Sequence, residues 1–167
     1  MPNGNGVTDA EARQTADAVL LDMDGTLVLS ESVHRQCWDR FFEYWGMDVS
    51  DREYEQTYMG RRATDVMAEV PGPWTGADTE ESVRTMTGLA LSLAGDVEAV
   101  PGAPDLTRWL KSLDVPVAVV TSAGAPWADR VLSDKLGVRH LVDAVVSAEQ
   151  VTVGKPSWAV QFSRPGV

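Results

Sequence analysis

Three short apolar runs, each followed by a polar loop, predict three buried strands, at about 18–21, 116–120 and 142–146. Between the second and third runs, and before the second, apolar residues recur at three- and four-residue spacings, which is typical of amphipathic helices. Strand and helix therefore alternate along these parts of the chain. That alternation predicts an α/β fold in which right-handed crossovers join the strands of a parallel sheet.

The stretch from 30 to 100 interrupts this alternation, because its pattern is helical throughout. One predicted helix carries a buried face of aromatic residues and stops at Gly46, and another spans about 79–93. Pro101 and Gly102 mark the return to the strand-and-helix pattern. We therefore expect a flexible leader at 1–17, a discontinuous α/β core at 18–29 and 101–167, and an inserted helical domain at 30–100.

Composition and charge restrict the class of partner. Hydrophobic residues make up 44% of the chain and charged residues 23%, as in ordinary globular proteins. The net charge of −11 repels nucleic acid and anionic membranes. The sequence has no signal-peptide pattern and no apolar run of roughly 18 residues, and its single Cys37 excludes an internal disulfide. We expect a cytoplasmic protein that binds a small molecule, with no nucleic-acid or membrane partner.

Asp22 and Asp24 follow the first predicted strand directly, and ligands of parallel sheets bind at the carboxyl ends of the strands. Residues two apart in an extended chain point to the same side, so both carboxylates can reach one site. Neighbouring carboxylates repel unless a cation or a proton separates them, and Mg²⁺ suits such a pair. One Asp can then attack phosphorus while the other transfers a proton. The alternative is a turn that uses Asp and Gly for conformational reasons alone.

The string VLLDMDGTL closely resembles the first motif of the haloacid dehalogenase superfamily. This resemblance implies that Asp22 is a nucleophile that becomes an aspartyl phosphate and that Asp24 is the general acid and base. It also implies that the Asp22 carboxylate and the Asp24 main-chain carbonyl bind Mg²⁺. By the same resemblance, VAVVTSAG places Thr121 and Ser122 against the phosphate, and SAEQVTVGKP makes Lys155 a phosphate clamp. The alternatives are an ordinary strand-end Thr and a solvated surface Lys.

Further parts of the sequence resemble the β-phosphoglucomutase-like group of sugar-phosphate enzymes. They are His34, Trp38 and the segment PGAPDLTRWLKSL. In that group a helical cap lies between the first two motifs and closes over the site. Arg61 and Arg62, in GRRATD, fall where the group carries a substrate-facing loop, and a solvated arginine pair is the alternative. We expect His34 to be a hinge or packing residue, and the tryptophans and methionines to lie chiefly in the core.

The C-terminal residues depart from the family pattern. The resemblance calls for acidic residues that complete the Mg²⁺ site beyond the third motif, but 150–167 contain neither Asp nor Glu. We therefore expect the core to be incomplete on its C-terminal side. The absent strand would pair with the first strand, so we also expect an exposed sheet edge there.

The sequence thus predicts an α/β fold of Rossmann-like type, with a parallel-sheet core and an inserted α-helical cap. By resemblance, the function is Mg²⁺-dependent hydrolysis of a small phosphorylated metabolite, a sugar phosphate. Two alternatives remain open: an inactive fragment that binds phosphate or a partner without turnover, and a sugar-phosphate mutase. Dehalogenation is disfavoured, because those relatives generally lack the second aspartate, which is Asp24 here.

Overall fold

A three-stranded parallel sheet forms the centre of the fold. The computed structural model describes residues 17–76 and 79–151. The strands β1 (Val19–Leu21), β4 (Val117–Val120) and β5 (Ala144–Val146) lie in the order β1-β4-β5, and both neighbouring pairs are parallel. The predicted α/β fold with a parallel sheet is therefore confirmed.

The two faces of this sheet differ in burial. Val117 and Val119 of β4 are fully buried, whereas Leu20, which pairs with Ala118 on the opposite face, is 59% exposed. Parallel sheets are ordinarily covered on both faces, so the Leu20 face is unusually open. β1 is also an edge strand: within 17–76 and 79–151, β4 is the strand that pairs with it.

A second, two-stranded ribbon connects the sheet to a group of helices. Its strands β2 (Val28–Leu29) and β3 (Glu98–Ala99) are antiparallel and too short to be seen as apolar runs in the sequence. Four helices lie between them, and the first and fourth agree with the predicted ones. They are α1 (Glu31–Tyr44), α2 (Asp51–Thr57), α3 (Ala63–Glu69) and α4 (Thr79–Leu93).

These helices enclose an apolar cluster that is rich in aromatic rings. Trp38 and Phe42 of α1 stack with centroids 5.4 Å apart, and Tyr58 lies 5.0 Å from Trp38. Phe41, on the same face of α1, packs against the buried ring of Trp74. Aromatic pairs of this kind add to the stabilisation that burial of their surface provides. None of the described helices is both long and apolar enough to cross a membrane.

Two helices accompany the strands of the sheet: α5 (Ala103–Ser112) before β4 and α6 (Ala125–Arg130) after it, the latter continuing as a π-helical turn to Lys135. The helix α5 is confirmed, but the apolar stripe that predicts it is mostly exposed, as Trp109 is 57% and Leu113 54% accessible. Leu110 is the buried member of that stripe, and Ala103 and Thr107 are buried beside it. Trp109 is thus an exception to the expectation that the tryptophans lie chiefly in the core, because periodicity does not show which face of a helix meets the sheet.

Candidate active site

A tight turn after β1 carries the two aspartates. Leu27 N–H donates to the Met23 carbonyl at 2.8 Å, and Gly25 N–H donates to the Val28 carbonyl at the same distance. Gly25 has φ +77°, a left-handed conformation that glycine adopts without strain. The turn brings Asp22 and Asp24 to the carboxyl end of the sheet, where ligands of such sheets bind.

The Asp24 carboxylate is surrounded by four side-chain partners from three parts of the fold, which are the start of α1, the end of β4 and the helix α6. The Ser30 hydroxyl donates to Oδ1 at 2.7 Å, and the Trp127 indole N–H donates to the same oxygen at 3.2 Å. His34 Nε2 lies 3.2 Å from Oδ1, and the Thr121 hydroxyl lies 3.3 Å from Oδ2. The His34 ring also packs against the Trp127 ring, with centroids 5.2 Å apart. Together these contacts fix the orientation of the carboxylate.

The same contacts decide the charge of Asp24. Burial raises the pKa of this carboxyl, but the hydrogen bond and the charge of His34, with the hydrogen bonds of Ser30 and Trp127, lower it more. The pKa of Asp24 therefore lies below its ordinary value. At neutral pH the residue is a carboxylate able to accept a proton.

Asp22 is more exposed than Asp24, and its Oδ1 accepts the Met23 N–H at 2.9 Å. Thr121 is buried, with its main-chain N–H bonded to the Val146 carbonyl and its hydroxyl oxygen accepting the Ala123 N–H at 3.0 Å. The Thr121 hydroxyl therefore links the end of β4 to Asp24. The sequence predicted that Thr121 binds phosphate, but it did not predict this structural role.

One cavity of about 770 Å³ opens at this end of the sheet. Six of the seven predicted site residues line it: Asp22, Asp24, Arg61, Arg62, Thr121 and Ser122. The seventh, Lys155, lies outside the described residues. The loops at the end of the sheet and the helical stretch between β2 and β3 thus both contribute residues to the wall of this cavity.

Both arginines of the cavity are already ion-paired. Arg62 Nε donates to Asp65 Oδ2 at 2.7 Å, and Arg61 pairs with Glu69 while also donating to the Thr57 carbonyl at 3.3 Å. The side chain of Arg62 is only 16% exposed. The structure therefore places both guanidinium groups at the cavity, but with their charges offset by neighbouring carboxylates.

The sequence did not predict four residues of the site as functional groups. Ser30, Trp127 and His34, the last expected as a hinge or packing residue, contact the Asp24 carboxylate, and Glu149 lines the cavity. The Glu149 carboxylate accepts the Ala125 N–H at 3.0 Å and the Ser147 hydroxyl at 2.8 Å, which ties the loop after β4 to the end of β5. Position at a strand end was the signal available for Glu149, whereas no local signal marks Trp127.

The residues near Asp22 determine which metal ion could bind in this cavity. Within 17–76 and 79–151, no three His, Cys, Asp or Glu side chains cluster closely enough to hold a metal ion. Both carboxylate oxygens of Asp24 are bonded to side chains, and the family resemblance implies its main-chain carbonyl as the ligand beside the Asp22 carboxylate. Mg²⁺ is held by few protein oxygens and completes its shell with water and phosphate, so this pair fits part of a Mg²⁺ site.

Comparison with known proteins decides the family. Residues 16–160 match the model of the haloacid dehalogenase-like hydrolases. The chain belongs to this hydrolase family. The resemblance inferred from the first motif is thereby confirmed.

Relatives of this family member are named as phosphatases. The chain is 33% identical over 138 residues to validoxylamine A 7′-phosphate phosphatase of Streptomyces hygroscopicus subsp. limoneus. The alignment covers 82% of the chain and 64% of that phosphatase. It is 27% identical to the fructose-1-phosphate phosphatase YqaB of Escherichia coli (strain K12), covering 83% of the chain and 73% of YqaB.

A solved structure shows the same fold. The crystal structure of CbbY from Rhodobacter sphaeroides in complex with phosphate superposes with a TM-score of 0.73 at 24% identity. This superposition covers 84% of the chain and 67% of CbbY. The chain thus spans about two thirds of the length of the validoxylamine phosphatase and of CbbY.

Proposed function

We propose that this family member is a phosphatase that hydrolyses a small phosphorylated metabolite, with Asp22 as nucleophile and Asp24 as general acid and base. The observation that carries the proposal is the environment of Asp24. Four side chains fix the orientation of its carboxylate. Asp24 follows Asp22 by two residues, and both line the cavity at the carboxyl end of the sheet. A carboxylate fixed in this way is suited to proton transfer at a defined position.

The proposed reaction has two steps. An oxygen of Asp22 attacks phosphorus, the bond from phosphorus to the ester oxygen breaks, and Asp24 gives that oxygen a proton. A water molecule then attacks phosphorus, Asp24 takes the proton of the water, and phosphate leaves as Asp22 is regenerated. A bound phosphate adds negative charge beside Asp24 and so raises the pKa of Asp24, which favours the protonated form that the first step needs.

Mg²⁺ is part of the proposal. The Asp22 carboxylate and the Asp24 main-chain carbonyl would hold the ion, which would offset negative charge on the transferring phosphoryl group. The hydroxyl of Ser122 lines the same cavity and can donate to a phosphate oxygen. Lys155, by its match to the third family motif, would add a positive charge on the phosphoryl group.

The substrate class rests on the cavity and the relatives. A volume of about 770 Å³ lies within the range of about 300–1,000 Å³ that is usual for sites of small ligands. Two relatives are named for the hydrolysis of phosphorylated small molecules, one of them the sugar phosphate fructose 1-phosphate. We therefore propose a sugar phosphate or a similar phosphorylated metabolite as substrate.

The decisive experiment replaces the nucleophile. Asp22→Asn should abolish Mg²⁺-dependent phosphate release from a panel of sugar phosphates, because no covalent intermediate can form. Asp48→Asn, at an exposed position after α1, is the matched control and should keep the parental rate. Parental turnover by the Asp22→Asn protein would show that the nucleophile lies elsewhere.

The role of Lys155 needs a binding measurement. Lys155→Ala should weaken orthovanadate binding by about tenfold, the effect of losing one charge-assisted contact, without lowering the midpoint of thermal unfolding. Lys135→Ala, at an exposed position of the π-helical turn, serves as the control. Equal vanadate affinity in the Lys155→Ala protein and its parent would assign Lys155 to the solvated surface.

One observation favours a second candidate function, which is phosphate binding without turnover. Among the described residues, the Mg²⁺ site would have two protein oxygens and no third carboxylate close by. A protein with this function would bind orthovanadate but release no phosphate from any sugar phosphate in the panel. The turnover assay therefore separates the two candidates.

A further inference from the structure

Acidic side chains outnumber basic ones around the cavity. Among the described residues that line it, the carboxylates are Asp22, Asp24, Glu31 and Glu149, and the basic side chains are Arg61, Arg62 and His34, which lies against Asp24. The chain as a whole carries a net charge of −11, which adds to the negative potential. A second anionic group on a ligand would therefore be repelled unless a specific cation compensates it.

The two arginines are poorly placed to compensate such a group. Arg62 directs its Nε to Asp65, and Arg61 is bonded both to Glu69 and to a main-chain carbonyl. A phosphate that approached either guanidinium would also approach the partner carboxylate, whose charge has the same sign. The attraction to the arginine is thereby largely offset.

The rest of the far wall is uncharged. The helix α4 contributes Val83, Met86 and Ala90 to the cavity, and Trp38 and Tyr58 add aromatic surface. Such a wall can cover the C–H groups of a sugar or cyclitol ring. A phosphate placed against it would lose hydration and gain few hydrogen bonds, which is unfavourable, since the Thr87 hydroxyl of α4 already donates to the Val83 carbonyl.

From this arrangement we infer that the cavity prefers monophosphate esters whose leaving group carries no second anionic group, and that the pairing of Arg61 and Arg62 with Glu69 and Asp65 disfavours bisphosphates. This inference rests on the proposed function, since it takes the Asp22 end of the cavity as the place of the reacting phosphate. Selectivity here comes from charges that reject the wrong ligand as well as from contacts that hold the right one.

The test measures binding in a protein that cannot turn its ligands over. In the Asp22→Asn background with Mg²⁺, isothermal titration calorimetry compares glucose 6-phosphate, glucose 1-phosphate and glucose 1,6-bisphosphate. The bisphosphate should bind at least about threefold more weakly than the better monophosphate, as expected for one uncompensated charge near a partly exposed surface.

Two further substitutions release the arginines. Asp65→Asn frees Arg62 and Glu69→Gln frees Arg61, and each should improve the affinity for the bisphosphate relative to the monophosphate by about three- to tenfold. Glu55→Gln, on the exposed side of α2, changes the net charge equally without touching either arginine and should leave that ratio unchanged.

Each result has a defined meaning. Bisphosphate binding as tight as monophosphate binding, no binding of any of the three ligands, or ratios in Asp65→Asn and Glu69→Gln equal to that in Glu55→Gln would overturn the inference. The proposed function is judged separately, from phosphate release by the protein with Asp22 intact. Turnover without discrimination would therefore reject the inference alone, and discrimination without turnover would reject the proposed function alone.

Discussion

The two ends of the cavity are built in different ways. At the carboxylate end, Asp24 is bonded to Thr121 and Trp127, which lie 97 and 103 residues further along the chain. At the arginine end, Arg62 pairs with Asp65 three residues away and Arg61 with Glu69 eight residues away. The first end exists only when the sheet and α1 have come together, whereas the second forms within one short stretch of chain.

Under the proposed function, this difference would separate the residues of the chemical steps from the residues of ligand selectivity. Substitutions at the carboxylate end should affect both turnover and the free energy of unfolding, because the same hydrogen bonds serve both. Substitutions at the arginine end should change which ligand binds while leaving stability nearly unaltered, because local ion pairs that solvent partly reaches contribute little.

The largest expected effect is on turnover at the carboxylate end. Asp24→Asn should lower kcat by about 10²- to 10⁴-fold, the usual contribution of general acid and base catalysis. Asp65→Asn, the same chemical change at the arginine end, provides the comparison and should lower kcat for a monophosphate by less than about threefold. Similar losses in both proteins would remove the distinction between the two ends.

The next effect is on stability. Trp127→Phe removes the indole donor to Asp24 and should lower the free energy of unfolding by about 1.5–3 kcal/mol, the range for hydrogen bonds to charged groups. Trp109→Phe on α5, where the ring is 57% exposed, should change it by less than about 0.5 kcal/mol. Urea denaturation measures both.

A double-mutant cycle sharpens this result. If the Trp127 effect arises from its bond to Asp24, the loss caused by Trp127→Phe should shrink by about 1 kcal/mol when Asp24 is already Asn. Additive effects of the two substitutions would instead assign the role of Trp127 to packing against His34.

A smaller effect depends on pH. Burial raises the pKa of Glu149, but the Ser147 hydroxyl and the Ala125 N–H lower it more, so the folded pKa lies below its ordinary value. A depressed carboxyl pKa stabilises the folded state above the unfolded pKa of about 4.3, and this contribution disappears as pH falls through the folded pKa. Glu149→Gln should therefore be destabilising at pH 7, by under about 1 kcal/mol, and indistinguishable from the parent in strong acid. Glu43→Gln, on the exposed side of α1, is the control, and an equal difference at both pH values would contradict the assignment.

An effect of similar size is expected at the arginine end. Arg62→Gln breaks its ion pair with Asp65 and should change the free energy of unfolding by at most about 1 kcal/mol. Thermal unfolding at low and at 1 M salt checks this, because screening should remove most of the difference. A larger loss that salt does not reduce would show that the arginine end, like the carboxylate end, supports the fold.

Much of the architecture could be predicted from the sequence because its signals are local. Apolar runs that end in polar loops identify all three strands of the sheet, and aromatic periodicity identifies α1. The turn at Gly25 is encoded in three adjacent residues, so the position of Asp22 and Asp24 at the end of β1 follows from the motif itself.

The remaining features depend on contacts between distant residues. Nothing near Trp127 marks it as a partner of Asp24, because that contact requires the sheet and α6 to be assembled. The ribbon of β2 and β3 is set by pairing across about seventy residues and leaves no apolar run. The exposed stripe of α5 shows the same limit, since Ala103 and Thr107 approach the sheet in place of the larger Trp109.

The ribbon of β2 and β3 has an evolutionary consequence. Val28 pairs with Ala99 and Leu29 with Glu98, so the chain leaves for the helices and returns from them at nearly the same point. A segment whose two ends adjoin can be lengthened, shortened or exchanged without moving the strands on either side. The far wall of the cavity, which α4 and the loop before α3 supply, can therefore diversify through recombination while the aspartate end is inherited intact.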